Sequence, residues 1–170
     1  MFDAWKPIHG LSSSWRRLLK TAAMLHDIGI TINYYSHARH SAYMIENARL
    51  FGLTHKEQVI AAVIAGWHNG VSRNYLRNKA YKYFLTDEDL IKISKMALLL
   101  ALAESMDYSQ TMQISEIIPE IKNKKTAMLH LKSSCLPSIE LHQLKQHLPW
   151  FSKVFNMELQ IEPMQNCAMP

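Results

Sequence analysis

Only two cysteines occur in 170 residues, Cys135 and Cys167, and no metal or redox spacing joins them. A disulfide-stapled secreted scaffold and a thiolate zinc module are therefore excluded, and the expectation is a reduced, cytoplasmic chain. Long apolar runs are also missing. The longest, Met96 to Ala103 (MALLLALA), falls far short of the ~20 residues that span a bilayer, so no membrane partner is expected and the run reads as a buried helix. Met1 to Leu11 lacks the apolar core of a signal peptide. There is no internal repeat and no low-complexity tract. Charged residues are only 19% against 48% hydrophobic, which excludes disorder and leaves enough apolar material for a core. A chain of this size buries roughly two-thirds of its unfolded surface.

What charge there is leans basic, a net +5 with a pI near 9.2. That balance favours an anionic partner: a phosphorylated small molecule, polyphosphate or nucleic acid, the last not favoured. Net charge is an argument about association only. Helical periodicity starts near Ser12–Ser14, where serines can cap exposed amides, and runs through Trp15, Leu18, Leu19, Ala22 and Leu25 towards a stop at Gly29. A loop rich in Tyr, Asn and His follows, then a helix from about Ser41 to Phe51 closed by Gly52. Thr54 and Glu57 form a capping box ahead of a helix that reaches Trp67 and His68. After a basic loop, Thr86, Asp87 and Asp89 open a long helix to about Asp107, with acidic residues suiting its dipole. A shorter helical piece around Gln113–Ile118 ends at Pro119. Beyond Lys122, Thr126–Lys132 alternates like a strand, Ile139–Phe155 reads as helix and Met157–Glu162 alternates again. The expected fold is mainly α: a helical domain over residues 1–120 and a small strand–helix–strand appendage over 121–170.

The chemistry centres on Leu25-His26-Asp27-Ile28-Gly29. An adjacent imidazole and carboxylate at a helix end can ligate one divalent cation or bridge two, and this mix of nitrogen and hard oxygen suits Mn, Fe, Co, Ni or Zn. Alone, the dipeptide is a weak signal. His40 opens the next helix, His68 ends the one after, and Asp107 ends the long one. The His26-Asp27 pair, His68 and Asp107 thus fall at helix C-termini, where the dipole and free carbonyls favour a cation. Each has a blander reading: His68 a core histidine satisfied by a carbonyl, Asp107 a turn cap, Glu104 either the true ligand or a solvated charge. His37 reads as a group that supports the ligands or contacts phosphate, rather than as a ligand itself. His9, His55, His130, His142 and His147 read as structural or surface residues.

These residues resemble a known family. LLKTAAMLHDIG, then HARHSAYMI, WHNG and LLLALAESMD, are similar to the HD superfamily of metal-dependent phosphohydrolases. The closer likeness is to the C-terminal HD-like region of the exopolyphosphatase/guanosine pentaphosphate phosphatase family. It covers about Leu11 to Glu162; the four motifs are specific together, and none is alone. The resemblance implies an HD-type helical bundle, with His26, Asp27 and Asp107 as central ligands, His40 and His68 as the extra histidines of two-metal sites, and one or two divalent ions, Mg included. Two features depart from the pattern. The upstream helix that usually carries the first ligand His has no clear counterpart, His9 being placed in a Pro/Gly loop. The family's actin-like domains, with their Gly-rich phosphate loops, are absent from these residues, so either a stand-alone protein or an excised C-terminal region is expected.

The resulting expectation is hydrolysis of a phosphoester or phosphoanhydride, of a nucleotide, guanosine polyphosphate or polyphosphate-like kind. Asp27 and His37 would act in catalysis, with Arg39 and Arg73 on the substrate phosphate, since guanidinium matches its oxygens bidentately. Tyrosines in the 73–82 loop would stack on a base, an ordinary solvated loop being the slightly preferred reading there. The competing expectation is a non-catalytic module that binds polyphosphate, nucleotide or RNA, or that mediates a homodimer.

Overall fold

The computed structural model describes residues 1–71 and 84–165. Helices and one three-stranded sheet make a mainly α chain. Leu11–Leu100 forms one compact unit, and Met1–Gly10 together with Ala101–Pro170 forms the other. Among the described residues no helix is long and apolar enough to cross a membrane.

The first segment carries α1 (Lys6–His9), and the helical unit then carries α2 (Ser13–Leu25), a 3-10 turn (Ile28–Thr31), α3 (His37–Asn47), α4 (His55–Trp67) and most of α5 (Asp87–Ser105). Helix α4 is the hub, packing on both α2 and α3. Its run from Val59 to Ala65 is buried on every side, as a helix without a polar face must be. The capping box forms as the sequence implies: Thr54 accepts from the Glu57 amide while the Glu57 carboxylate accepts from the Thr54 amide. That carboxylate also pairs with Arg17 of α2. Gln58 of α4 sends its side-chain amide to the carbonyls of Ile45 and Ala48, both at 2.8 Å, which satisfies acceptors that the end of α3 leaves open. Thr86 and Asp89 cap α5 reciprocally, and Lys56 of α4 pairs with Asp89 at 2.7 Å.

Several local expectations change. Ser12 sits at the N-cap of α2, but its hydroxyl bonds that of Ser14 rather than an amide. Helix α3 starts at His37, earlier than periodicity suggests, because Ser36 turns the chain with φ 60° and its carbonyl takes the amides of Arg39 and His40. Gly29 does not terminate a helix; it lies inside the 3-10 turn. A Cβ there would collide with the His37 carbonyl oxygen and the Ser41 amide, and the Gly29 amide donates to Ser41 Oγ at 2.8 Å. Only a glycine lets this turn lie directly on the start of α3.

The second unit contains β1 (Ile114–Ile121), β2 (Thr126–Ser133), α6 (Ser138–Gln146), α7 (Leu148–Phe155) and β3 (Glu158–Gln165) besides α1. Sheet order is β1-β2-β3, antiparallel then parallel, so α6 and α7 form the crossover that a parallel pair requires. Alternate β2 residues, Ala127, Leu129 and Leu131, are buried with Leu144, Phe151 and Leu159, and Trp5 packs edge-on against Phe151 at 5.5 Å. The expected helical piece at Gln113–Ile118 is instead part of strand β1, with Ile117 opposite Leu131. Isoleucine-rich pairing with a buried neighbour outweighs a weak helical pattern, and Pro119 is tolerated because β1 is an edge strand. The expected single helix over Ile139–Phe155 divides at His147 because Pro149 has no amide to extend α6 and would clash with its carbonyls. His9, placed in a loop by the sequence reading, closes α1 and is buried against the Phe2 carbonyl at 2.8 Å.

Candidate metal centre

The site lies in the helical unit and is built from three chain turns. Helix α2 ends at Leu25, making His26 its C-cap and Asp27 the first residue of the following turn. Helix α4 ends at Trp67, making His68 its C-cap. His37 is the first residue of α3. One ligand-type atom from each of Asp27, His37 and His68 falls within 4.8 Å of the others.

Each imidazole is oriented by the same local device. His26 Nδ1 donates to the Ala23 carbonyl at 2.7 Å, His37 Nδ1 to Tyr34 at 3.1 Å and His68 Nδ1 to Ala65 at 2.5 Å. A carbonyl can only accept, so in the neutral ring the proton sits on Nδ1 and the lone pair on Nε2. The Asn69 side-chain amide donates to His37 Nε2 at 3.3 Å, consistent with a lone pair there. His37 Nε2 and His68 Nε2 face each other at 3.2 Å. His26 and His68 stand edge-to-face at 5.1 Å. Asp27 completes the set, with Oδ1 3.3 Å from His37 Nε2 and Oδ2 3.4 Å from His26 Nε2. Its Oδ1 is buried and receives no hydrogen bond. Burial pushes the His68 imidazole down to about 4; the His26 and His37 rings act in the same direction, while the Ala65 carbonyl and Asp27 oppose it. His68 is therefore neutral near pH 7.

These features fit a cation. Two Nε2 ligands at about 2.0–2.1 Å from one ion lie roughly 3 Å apart, the spacing seen here. A histidine whose remote N–H is held by a backbone carbonyl is the usual outer arrangement of a ligating imidazole. The buried carboxylate oxygen without a donor asks for a positive charge.

Of the residues singled out from sequence, His26, Asp27 and His68 come together. His37, read there as a neighbour of the ligands, has its Nε2 inside the group. His40 is half-buried and flanks Gly29 through its Cβ, but is not among the convergent atoms. Asp107 lies beyond the end of α5 in the other unit, exposed, with Oδ1 accepting from the Met112 amide at 3.2 Å, so the turn-capping role applies to it. Glu104 lies on the last turn of α5. Arg39 is exposed on the first turn of α3, while Arg73 and the tyrosines of its loop lie outside the described residues.

Comparison with known proteins identifies the class. The family described as "Ppx/GppA phosphatase, domain III" matches residues 1–148, and the chain belongs to that family. Among its relatives is a "Guanosine-5'-triphosphate,3'-diphosphate pyrophosphatase" of Pseudoalteromonas translucida (strain TAC 125), 27% identical over 144 residues, which are 83% of this chain and 28% of the relative. The chain thus spans well under a third of that relative's length.

Proposed function

We propose that this chain is an HD-type, metal-dependent phosphohydrolase domain in which His26, Asp27, His37 and His68 hold a divalent transition metal. The carrying observation is the 3.2 Å approach of His37 Nε2 and His68 Nε2, with both rings oriented by backbone carbonyls. Nitrogen and carboxylate donors in this mixture suit Mn, Fe, Co, Ni or Zn. When bound, such an ion lowers the pKa of a coordinated water and offsets the charge of a substrate phosphate.

The residues of the chain supply the rest. His68 is buried and neutral, which keeps one nitrogen ligand available across the physiological range. Asp27 sits between His26 and His37, so its carboxylate can hold either an ion or the proton of an attacking water. The substrate is a phosphoester or phosphoanhydride, and Arg39, exposed three residues before Ala42 on the same helix as His37, is available to its phosphate.

The test is metal analysis of the purified chain by mass spectrometry, with Asp27→Ala alongside and a phosphatase panel for each metal. Stoichiometric transition metal in the parent, lost in Asp27→Ala together with hydrolysis, supports the reading; unchanged metal content and turnover in the variant contradict it. The chain's coverage of only 28% of its relative favours one alternative, a non-catalytic module that binds a polyphosphate or nucleotide for a larger phosphatase. A metal-free chain with retained polyanion affinity would establish that alternative.

A further inference from the structure

The segment that leads into His37 is exposed and carries two aromatic rings, yet its backbone is tightly held. Tyr34 and Tyr35 are 68% and 80% exposed. Beneath them the Tyr35 amide donates to Asn33 Oδ1 at 2.9 Å. The Tyr34 carbonyl accepts from His37 Nδ1 at 3.1 Å and from the His37 amide at 3.3 Å. Ser36 then takes φ 60°, a left-handed conformation that a non-glycine residue keeps only where its surroundings impose it. The same hydrogen bond therefore orients the His37 imidazole and fixes the peptide bearing Tyr34. Two phenol rings held in water by an ordered turn next to a ligand site are groups presented to something, since large aromatic surface gains most when covered.

The ring geometry narrows what that is. Tyr34 and Tyr35 meet edge-to-face, 6.0 Å apart at 81°, an arrangement that leaves a ring face uncovered. The Tyr34 ring lies 6.0 Å from the His37 imidazole at 37°, so one small ligand can touch both the aromatic pair and the His/Asp cluster. Such a ligand needs an anionic end for a metal ion held by the cluster and a flat π surface for the tyrosines. An inorganic phosphate chain has only the first; a nucleotide has both.

We infer that Tyr34 and Tyr35 form a base-stacking lip of this site, which makes its ligand a nucleotide rather than inorganic polyphosphate. The inference rests on the reading that Asp27, His37 and His68 hold a metal ion, which takes the phosphate. Stacking is tolerant of base identity, so the lip selects nucleotides as a class.

The experiment is titration calorimetry on the full chain loaded with Mn2+, using ATP and inorganic tripolyphosphate, which carry equal numbers of phosphates. Tyr34→Ala/Tyr35→Ala and Tyr34→Phe/Tyr35→Phe are measured beside the parent, with metal content determined for each. ATP is expected to bind about tenfold or more tighter than tripolyphosphate to the parent and to the Phe pair. The Ala pair should keep its metal and lose the difference. Equal affinities in the parent, a preference that survives in the Ala pair, or no binding of either compound would overturn the lip. Metal content separates the two ideas. A metal-free chain whose ATP preference still follows the tyrosines would sink the metal centre and uphold the lip, whereas a metal-loaded chain indifferent to the nucleoside would do the reverse.

Discussion

The two units each contain a histidine among carboxylates, and they use it in opposite ways. In the sheet unit, His130 of β2 stands between the two outer strands, with Nε2 3.1 Å from Glu120 of β1 and Nδ1 2.9 Å from Glu162 of β3. Both ring nitrogens are engaged, on opposite sides, by half-exposed side chains. In the helical unit, His26, His37 and His68 give Nδ1 to their own backbones, and Nε2 of His37 and His68 fall beside one carboxylate. The first arrangement ties strands together and has no common point at which a ligand could sit; the second has one. Composition alone cannot separate them. What differs is which nitrogen the local backbone occupies, and this is decided by a carbonyl three residues back, offered by a helix end to His26 and His68 and by the turn before α3 to His37.

The largest effect that would sharpen this contrast is expected at Gly29. Gly29→Ala drives a methyl group into the His37 carbonyl and the Ser41 amide, contacts on backbone that cannot swing away. It should cost on the order of 1–3 kcal/mol in urea denaturation and lower the metal content of the purified chain, because the turn carrying Asp27 is lifted from α3. Full metal content in a stable Gly29→Ala variant would break the link between that close approach and the site.

Next comes an exchange between the two assemblies. His68→Gln should abolish stoichiometric metal in elemental analysis, while His130→Gln should leave it unchanged. Loss of metal from the His130 variant would erase the distinction between a converging and a diverging histidine.

Acid stability gives a smaller, directional effect from a third environment. Burial lowers the pKa of His147, whose Nε2 meets Ser105 Oγ at 3.0 Å. A histidine with a folded-state pKa below its unfolded value binds more protons when unfolded, so stability rises with pH across that interval. The contribution is complete above the ordinary histidine value, ~6.5, and is lost as pH falls below it. His147→Gln should therefore show a smaller drop in urea midpoint between neutral and mildly acidic pH than the parent.

The least effect is expected from Glu120→Gln with Glu162→Gln. Exposed ion pairs contribute roughly 0–1 kcal/mol, so the sheet unit should soften slightly in thermal denaturation with metal content intact. A cost of several kcal/mol would mean that His130 and its two partners anchor the sheet more firmly than half-exposed pairs do.

Much of the site was legible from the chain itself because its residues stand where helices end, and helix ends carry strong local signals. The apolar period of α2 stops at His26-Asp27, and the Thr54–Glu57 capping box sets the frame in which α4 runs out at His68. His37 and His40 were harder to separate. They lie one turn apart, and the apolar period of α3 does not say which of them opens the helix. The left-handed Ser36 does, and no residue preference would place a serine there. Asp107 matched a motif and stood near a helix end, yet its carboxylate accepts the amide of Met112, a bond set by the turn after α5. In the sheet unit, β2 was visible from its own alternation. β1 was not, since an edge strand with a proline takes its state from the neighbour it pairs with.

By itself, then, the sequence determined helices α2, α4 and α5, the Thr54–Glu57 capping box and the ligand-type residues at helix termini, all of which follow from interactions within a few residues. Only the tertiary structure decided which imidazole nitrogens meet. That meeting depends on the absence of a side chain at Gly29, on the αL turn at Ser36 and on α4 packing against α3. Distances between separate helices are set by such contacts, and no local pattern encodes them.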